Sequence, residues 1–146
     1  MHLKYIHRPD IGREMGRIIA HELSKRGFFR EIDALVPVPL HWIRHWKRGY
    51  NQSLQLALGI HKVTRIPVWE HVVRRTRNNA TQTSKSYTER MQNVENLFAA
   101  RPLGKPCHLL LIDDVLTTGA TLTSCAQSIL AANPDVRFSI LTLAKA

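Results

Sequence analysis

Apolar stretches alternate along the chain with stretches of helical periodicity, and the clearest strand lies at residues 109–112. All four of its residues are apolar, which predicts a parallel strand that is buried on both faces. Two acids and a short polar loop follow. From Thr121 onward the apolar residues recur at helical spacing. They form one stripe of Leu122, Cys125, Ala126, Ile129 and Leu130. The segment therefore predicts a strand, a loop and a helix in direct succession.

The first half of the chain predicts two helices and a strand. A helix is expected from a cap at Asp10 to about Arg26. Residues 34–39 predict a short buried strand that ends at prolines, because proline cannot continue a central ladder. Asn51 is expected to cap a second helix, which runs to about His61.

The remaining segments are shorter and more polar. Residues 66–68 and 72–73 predict edge strands, and residues 74–86 predict a loop without periodicity. Residues 87–98 predict a short helix, and residues 137–144 a final strand. Short links between strands and helices favour right-handed parallel crossovers. The prediction is an α/β fold with a mainly parallel central sheet flanked by helices, in one domain that covers all 146 residues.

The loop after the buried strand is suited to a phosphorylated sugar. Unpaired N–H groups and the dipole at a helix N-terminus both favour a phosphate there. The predicted phosphate-binding residues are Thr117, Thr118, Gly119, Ala120 and Thr121. Two carboxylates could accept hydrogen bonds from ribose hydroxyls, or act through a divalent cation. These predicted ribose-binding residues are Asp113 and Asp114. The alternative is an ordinary strand-to-helix turn with two solvated acids.

These residues resemble the phosphoribosyl pyrophosphate (PRPP) loop of type I phosphoribosyltransferases. That pattern is four apolar residues, two acids, a spacer and Thr-Thr-Gly-x-Thr, and every position is filled here. Val-Pro-Val-Pro-Leu at residues 36–40 and Arg-Gly-Tyr-Asn-Gln at residues 48–52 are similar to the ComF/GntX branch, the competence-protein family. An arginine pair, a glutamine and Arg-x-x-Asn-Val-x-x-x-Phe within residues 74–98 add to the resemblance, although a usual leucine before Arg90 is missing. A type I phosphoribosyltransferase-like fold is what this resemblance implies.

The resemblance also implies roles for two further loops. In the type I fold, the loop after the first core strand binds pyrophosphate. Here that loop and a nearby basic residue would supply Pro37, Val38, Pro39 and Arg48. A flexible loop would close as a lid over the polyphosphate. Its residues would be Arg74, Arg75 and Gln82. An unstructured surface loop is the alternative for this segment.

Charge and cysteine content restrict the partners. The formal net charge is +10, which attracts nucleic acid or a small ligand with several phosphates. Mg²⁺ would arrive with PRPP, and Asp113 and Asp114 are its candidate protein ligands. Members of the resembled family often carry an N-terminal four-cysteine zinc module, and this sequence starts after the point where that module would end. Either the protein lacks the module or the start is truncated, and in both cases no zinc is expected. Cys107 and Cys125 are expected to be reduced and buried.

Three interpretations of function follow. In the first, the chain binds PRPP and transfers phosphoribosyl to an unknown acceptor, with no side chain required as nucleophile. In the second, a non-catalytic protein of the same fold binds a nucleotide, or single-stranded DNA in a competence or DNA-utilisation process. A signalling domain with an acidic pocket at Asp113 and Asp114 ranks last, because it does not need the threonines. A cytoplasmic protein without membrane insertion is expected, and a homodimer is a candidate assembly.

Overall fold

A parallel sheet of three strands forms the centre of the computed structural model, which describes residues 8–40, 49–76, 97–116 and 118–146. The strands are β1 (Ala34–Pro37), β4 (His108–Leu116) and β5 (Arg137–Lys145), in the order β1-β4-β5. The register places Ala34 opposite Leu109, and Leu109 opposite Phe138. The middle strand is β4, so residues 109–112 are buried on both faces, as their sequence predicts. The predicted parallel sheet is confirmed.

Among the helices of the described residues, two cover one face of the sheet and one covers the other. Helix α1 (Pro9–Ser24) and helix α2 (Gln52–Thr64) pack over Leu110 and Ile112. Helix α3 (Ala120–Ala132) packs over Leu109 and Leu111. Successive strand residues point to opposite faces, so β4 contributes to both cores. The sheet is thus the middle layer of three.

A small antiparallel hairpin joins the core on the α3 side. Its strands are β2 (Val73–Arg75) and β3 (Phe98–Ala100). The prediction of a loop beginning at Arg74 is wrong, because Arg74 pairs with Ala99 and continues the strand. Phe98, predicted as the end of a helix, lies in β3 opposite Arg75. The rest of that helix lies outside the described residues.

Val68 extends the sheet on the open side of β1. It forms one parallel bridge with Leu35, and the Leu35 N–H donates to the Pro67 carbonyl at 2.9 Å. The predicted edge strand at residues 66–68 is therefore present as a single bridge. Pro67 is acceptable there, because an edge needs fewer ladder donors.

Several predicted helix ends shift in the structure. Helix α1 begins at Pro9 and not at an Asp10 cap, since proline's fixed φ suits the first helical turn. The Asn51 cap of α2 is confirmed, because its side chain accepts from the Ser53 N–H at 3.0 Å. Helix α3 begins at Ala120, one residue earlier than predicted, and Leu130 on its apolar stripe is 38% exposed.

Two further observations bear on the expectations for the chain. Cys107 and Cys125 are free and buried, as expected. Among the described residues, no helix is both long and apolar enough to cross a membrane.

Candidate functional site

A cavity of about 270 Å³ lies at the carboxyl ends of β1 and β4. In open parallel sheets this edge is where ligands bind, because loops and helix N-termini converge there. The lining comes from five parts of the chain: residues 38–40 after β1, residues 51–53 at the start of α2, Arg75 of β2, residues 113–116 of β4, and Gly119, Thr121 and Leu122 around the start of α3.

The acid pair forms one wall of this cavity. Asp113 and Asp114 lie within β4 and not beyond its end, because Asp113 still pairs with Thr142 of β5. On the other side, β1 stops at Pro37 opposite Ile112. The Val38 N–H donates to the Ile112 carbonyl at 2.9 Å, and beyond this bond the β1 side of β4 opens into the cavity. The two carboxylates are therefore held by a strand with one side available to a ligand.

Burial dominates the electrostatics of Asp113. Burial, together with the negative charge of Asp114, raises the pKa of this carboxyl to about 6. Two hydrogen bonds oppose this shift: the Asp114 N–H donates to Asp113 Oδ1 at 2.9 Å, and Ser53 Oγ donates to the same oxygen at 3.3 Å. The ionised form of Asp113 therefore costs free energy when no ligand is bound. Hydroxyl donors or a cation would relieve this cost.

The turn before α3 forms the wall beside the acid pair. Thr118 Oγ1 accepts from the Ala120 N–H at 3.2 Å, and Gly119 is the N-cap with a φ of 81°. That left-handed conformation suits glycine, which has no Cβ. Gly119 and Thr121 line the cavity, whereas the exposed residues Thr118 and Ala120 do not. Thr117 lies outside the described residues. The structure therefore brings part of the predicted phosphate loop to the cavity.

The loop after β1 forms the opposite wall. Val38 and Pro39 line the cavity, whereas Pro37 lines a neighbouring and more open one. The Val38 carbonyl accepts from Asn51 Nδ2 at 3.1 Å, and the Pro39 carbonyl accepts from Arg75 Nε at 2.8 Å. Arg48, the fourth predicted pyrophosphate residue, lies outside the described part of the chain.

The predicted lid residues do not behave as one group. Arg75 is half-buried and lines the cavity. Its guanidinium carbon lies 4.9 Å from the centre of the Phe98 ring, which is a cation–π contact. Arg74 is exposed and is not among the residues that line the cavity. Gln82 lies outside the described residues.

Residues 51–53 are site residues that the sequence analysis missed. Asn51 was predicted only as a helix cap, yet Asn51, Gln52 and Ser53 all line the cavity. The signal was available: α2 follows a parallel strand, so its N-terminus should lie at the same sheet edge as that of α3. The cavity consequently has two helix N-termini in its wall.

A protein-only metal site is not present in the described residues. No cluster of three or more His, Cys, Asp or Glu side chains forms there. Two adjacent carboxylates fit Mg²⁺, which commonly binds through one or two carboxylates and completes its shell with water and substrate phosphates. The donor set therefore suits an ion that arrives with a phosphorylated ligand.

Similar sequences come from proteins of DNA utilisation and competence. DNA utilization protein YhgH of Escherichia coli (strain K12) is 34% identical over 131 residues, which are 88% of this chain and 58% of that protein. Competence protein F of Haemophilus influenzae is 35% identical over 98 residues, covering 65% of this chain and 43% of its own length. Competence protein ComFC of Bacillus subtilis is 32% identical over 109 residues, which are 75% of this chain and 43% of that protein. The chain thus matches about half the length of these relatives. No protein-family model matches it.

Solved structures with a similar fold are phosphoribosyltransferases. The glutamine PRPP amidotransferase from B. subtilis, complexed with ADP and GMP, superposes with a TM-score of 0.62 at 22% identity, over 94% of this chain and 30% of that one. A purine phosphoribosyltransferase from Pyrococcus horikoshii gives a TM-score of 0.51 at 14% identity, over 89% of this chain and 70% of that one. At these identities the likeness shows the fold. The predicted type I fold is confirmed, and the chain belongs to the ComF-like family of proteins with this fold.

Proposed function

We propose that the cavity binds PRPP and that the chain transfers the phosphoribosyl group to an acceptor. One observation carries this proposal: the acid pair of β4 and the glycine-capped N-terminus of α3 line the same cavity of about 270 Å³. A ribose 5-phosphate has a vicinal diol and a phosphate only a few bonds apart. The two walls offer acceptors for the diol and donors for the phosphate.

Asp113 and Asp114 would hold the ribose hydroxyls. Ionised carboxylates are acceptor-only groups, and their hydrogen bonds to hydroxyls are short and strong. Asp113 is already fixed by the Asp114 N–H and by Ser53 Oγ. A carboxylate held in this way loses little further freedom when the sugar binds.

The turn at Gly119 would hold the 5-phosphate. Helix N-termini present N–H groups and a positive dipole end to an anion. Gly119, the N-cap residue, makes no side-chain cap bond. Thr118 Oγ1 accepts from the Ala120 N–H at 3.2 Å, so the phosphate would be held by the N–H groups that follow Ala120. Gly119 has no Cβ, so no side-chain atom of this residue stands in the way of the ligand.

The pyrophosphate would lie toward residues 38–40 and the N-terminus of α2. Mg²⁺ would neutralise part of the negative charge of the pyrophosphate group. Asp113 and Asp114 are the carboxylates that would bind this ion. In the transfer, the acceptor's lone pair forms the new bond to the anomeric carbon. The bond from that carbon to pyrophosphate breaks, and pyrophosphate leaves with the electron pair. The chain's own contribution is to position the ribose and to balance charge.

Calorimetric titration with PRPP and Mg²⁺ tests this function. The Asp113→Asn/Asp114→Asn variant keeps side-chain size but weakens acceptance, so affinity should fall by about 1–3 kcal/mol per lost charged hydrogen bond. Asp135→Asn, an exposed acid after α3, is the matched control and should bind as the wild type does. Unchanged PRPP affinity in a folded double variant would overturn the assignment. Release of pyrophosphate during an acceptor screen would separate an enzyme from a binding protein.

Binding of single-stranded DNA is the second candidate function. The names of the relatives favour it, as does the net charge of +10. An open groove on the hairpin side is lined in part by Trp69, His71, Arg101 and Lys105, together with Glu70 and three apolar residues. Flat rings can stack on bases, and cations can contact phosphates.

A salt series tests the second candidate. If the groove binds DNA, replacing Arg101 and Lys105 with Gln should weaken binding of a labelled single strand. It should also reduce the slope of log affinity against log salt concentration by about one to two units. An unchanged slope in this variant would exclude the groove as the DNA contact.

A further inference from the structure

Two prolines leave the loop after β1 short of hydrogen-bond donors. Proline has no N–H group, so Pro37 and Pro39 can donate no backbone bond. Of residues 37–39, only Val38 carries an N–H, and it donates to the Ile112 carbonyl at 2.9 Å. Beyond this bond, the path of the loop depends on what holds its carbonyl oxygens.

Two side chains hold those carbonyls, and they come from different elements. Asn51 Nδ2 at the start of α2 donates to the Val38 carbonyl at 3.1 Å. Arg75 Nε in β2 donates to the Pro39 carbonyl at 2.8 Å. A trans peptide is planar, so a fixed Pro39 carbonyl also fixes the direction of the Leu40 N–H. Hydrogen bonds from the start of α2 and from β2 thus hold the loop in place.

Arg75 is itself held in place. Its guanidinium carbon lies 4.9 Å from the centre of the Phe98 ring, in the neighbouring strand of the hairpin. The side chain is half-buried and lines the cavity that also contains Asp113. Burial raises the pKa of the Cys125 thiol to about 12, and the nearby positive charge of Arg75 opposes part of this rise. The guanidinium therefore lies between the hairpin, the loop and the cavity.

We propose that Arg75 is a positioning residue for the pyrophosphate side of the cavity: by holding the Pro39 carbonyl it fixes the wall of residues 38–40. This role rests on the proposed function, because it assumes that a pyrophosphate group occupies that side. It differs from the expected role in a flexible lid, since the residue lies in a strand with defined partners. A positioning role also means that replacing Arg75 should loosen residues 38–40 in the ligand-free protein. A residue that only contacts the ligand would have no such effect.

The test compares Arg75→Lys with two other variants. Lysine keeps the positive charge but lacks the planar guanidinium that donates through Nε while lying over a ring. Asn51→Ser keeps a capping oxygen for α2 but loses the donor to the Val38 carbonyl, so it loosens the same wall from the other side. Arg137→Lys makes the same chemical change at the exposed start of β5, far from the cavity, and is the matched control.

Calorimetric titrations with pyrophosphate, ribose 5-phosphate and PRPP, all with Mg²⁺, give the first readout. Arg75→Lys should weaken binding of pyrophosphate and of PRPP roughly tenfold, because a displaced wall would lose about one hydrogen bond to the ligand. Affinity for ribose 5-phosphate should stay within about twofold, since that ligand lies on the β4 and α3 side. Asn51→Ser should show the same pattern, and Arg137→Lys no change. An equal loss for ribose 5-phosphate and pyrophosphate would overturn the proposal, as would unchanged pyrophosphate binding.

Amide hydrogen exchange in the ligand-free proteins gives the second readout. Arg75→Lys should speed exchange at Val38, whose N–H is bonded to the Ile112 carbonyl, and Arg137→Lys should not. Unchanged exchange at Val38 would overturn the positioning role, even if pyrophosphate binding fell. A wild-type protein that binds none of the three ligands would refute the proposed function instead. The exchange result would still show whether Arg75 holds the loop.

Discussion

Asp113 shows how one residue can favour binding at a cost to stability. Its carboxyl lies in β4, beside Asp114 and partly out of water. Burial and the neighbouring charge of Asp114 raise its pKa to about 6, compared with 3.8 for a free aspartate. The neutral form is therefore favoured by folding, and the charged form, which would bind the sugar, is disfavoured. Natural binding sites often retain such costs because activity needs them.

Asp113→Asn should make the stability of the protein less sensitive to pH. The raised pKa of Asp113 favours the folded state fully below pH 4, and this contribution is lost as the pH rises through about 6. The variant should therefore match the wild type near pH 4. At pH 7.5 its free energy of unfolding should be higher by roughly 2 kcal/mol. Urea denaturation between pH 4 and pH 8 measures the difference, and parallel curves for the two proteins would contradict it.

Gly119 is the second residue whose conformation is tied to function. Its φ is 81°, while a Cβ at this position would meet only Leu116 Cδ1 at 3.8 Å, an ordinary contact. The cost of Gly119→Ala should therefore come from the left-handed backbone and be about 1–2 kcal/mol. PRPP affinity should fall as well, because the new methyl group lies at the anion's approach. Thermal unfolding and calorimetry measure the two effects, and full affinity with an unchanged melting temperature would refute both.

At the scale of elements, α1 and α2 pack closely through glycines. A Cβ on Gly16 would collide with the Leu56 carbonyl oxygen, and a Cβ on Gly59 with the Arg13 carbonyl oxygen. This close approach places α2 over β1 and β4, and so brings its N-terminus to the cavity. The helix crossing thus helps to set the geometry of residues 51–53.

Gly16→Ala and Gly59→Ala should each destabilise the protein. The new methyl group meets backbone and not a movable side chain, so the helices must separate, at about 1–3 kcal/mol. Gln127→Ala, at an exposed position of α3, is a control for the substitution of a helical residue. Chemical denaturation compares the three variants. A glycine variant as stable as the control would mean that the two helices can separate without cost.

At the scale of the whole molecule, the field of the net positive charge is distinct from the local chemistry of the cavity. The formal net charge of +10 acts over the surface and favours any polyanion. The acid pair contributes negative charge at one edge of the sheet. A ligand recognised by local geometry and a polymer attracted by the field should therefore respond differently when these acids are neutralised.

Asp113→Asn/Asp114→Asn should separate these two responses. The change adds two positive charges, so affinity for single-stranded DNA should stay equal or rise slightly while PRPP affinity falls. Glu22→Gln/Glu31→Gln makes the same change in charge at exposed positions away from the cavity, and should leave PRPP binding intact. Fluorescence anisotropy with a labelled single strand at two salt concentrations measures the DNA response. A parallel loss of both ligands would mean that they share the cavity.

Local patterns in the sequence were sufficient for the buried strand, the acid pair and the turn before α3. Each depends on neighbours in the chain: residues 109–112 need only apolar side chains, and the turn needs glycine followed by a helix. The same holds for the Asn51 cap, because the bond from the Ser53 N–H spans two residues. These features are encoded within a few positions, so the sequence alone determined them.

Only the tertiary structure decided which distant residues share the cavity. The local sequence pattern grouped Arg74 with Arg75, which are adjacent, yet strand pairing leaves Arg74 exposed and turns Arg75 toward Pro39. It ended the strand before Asp113, yet pairing with β5 carries β4 on to Leu116. It gave residues 51–53 no role in the site, although the crossing of α1 and α2 places them in its wall. Such contacts depend on strand register and helix packing between segments far apart in the chain, which no local pattern specifies.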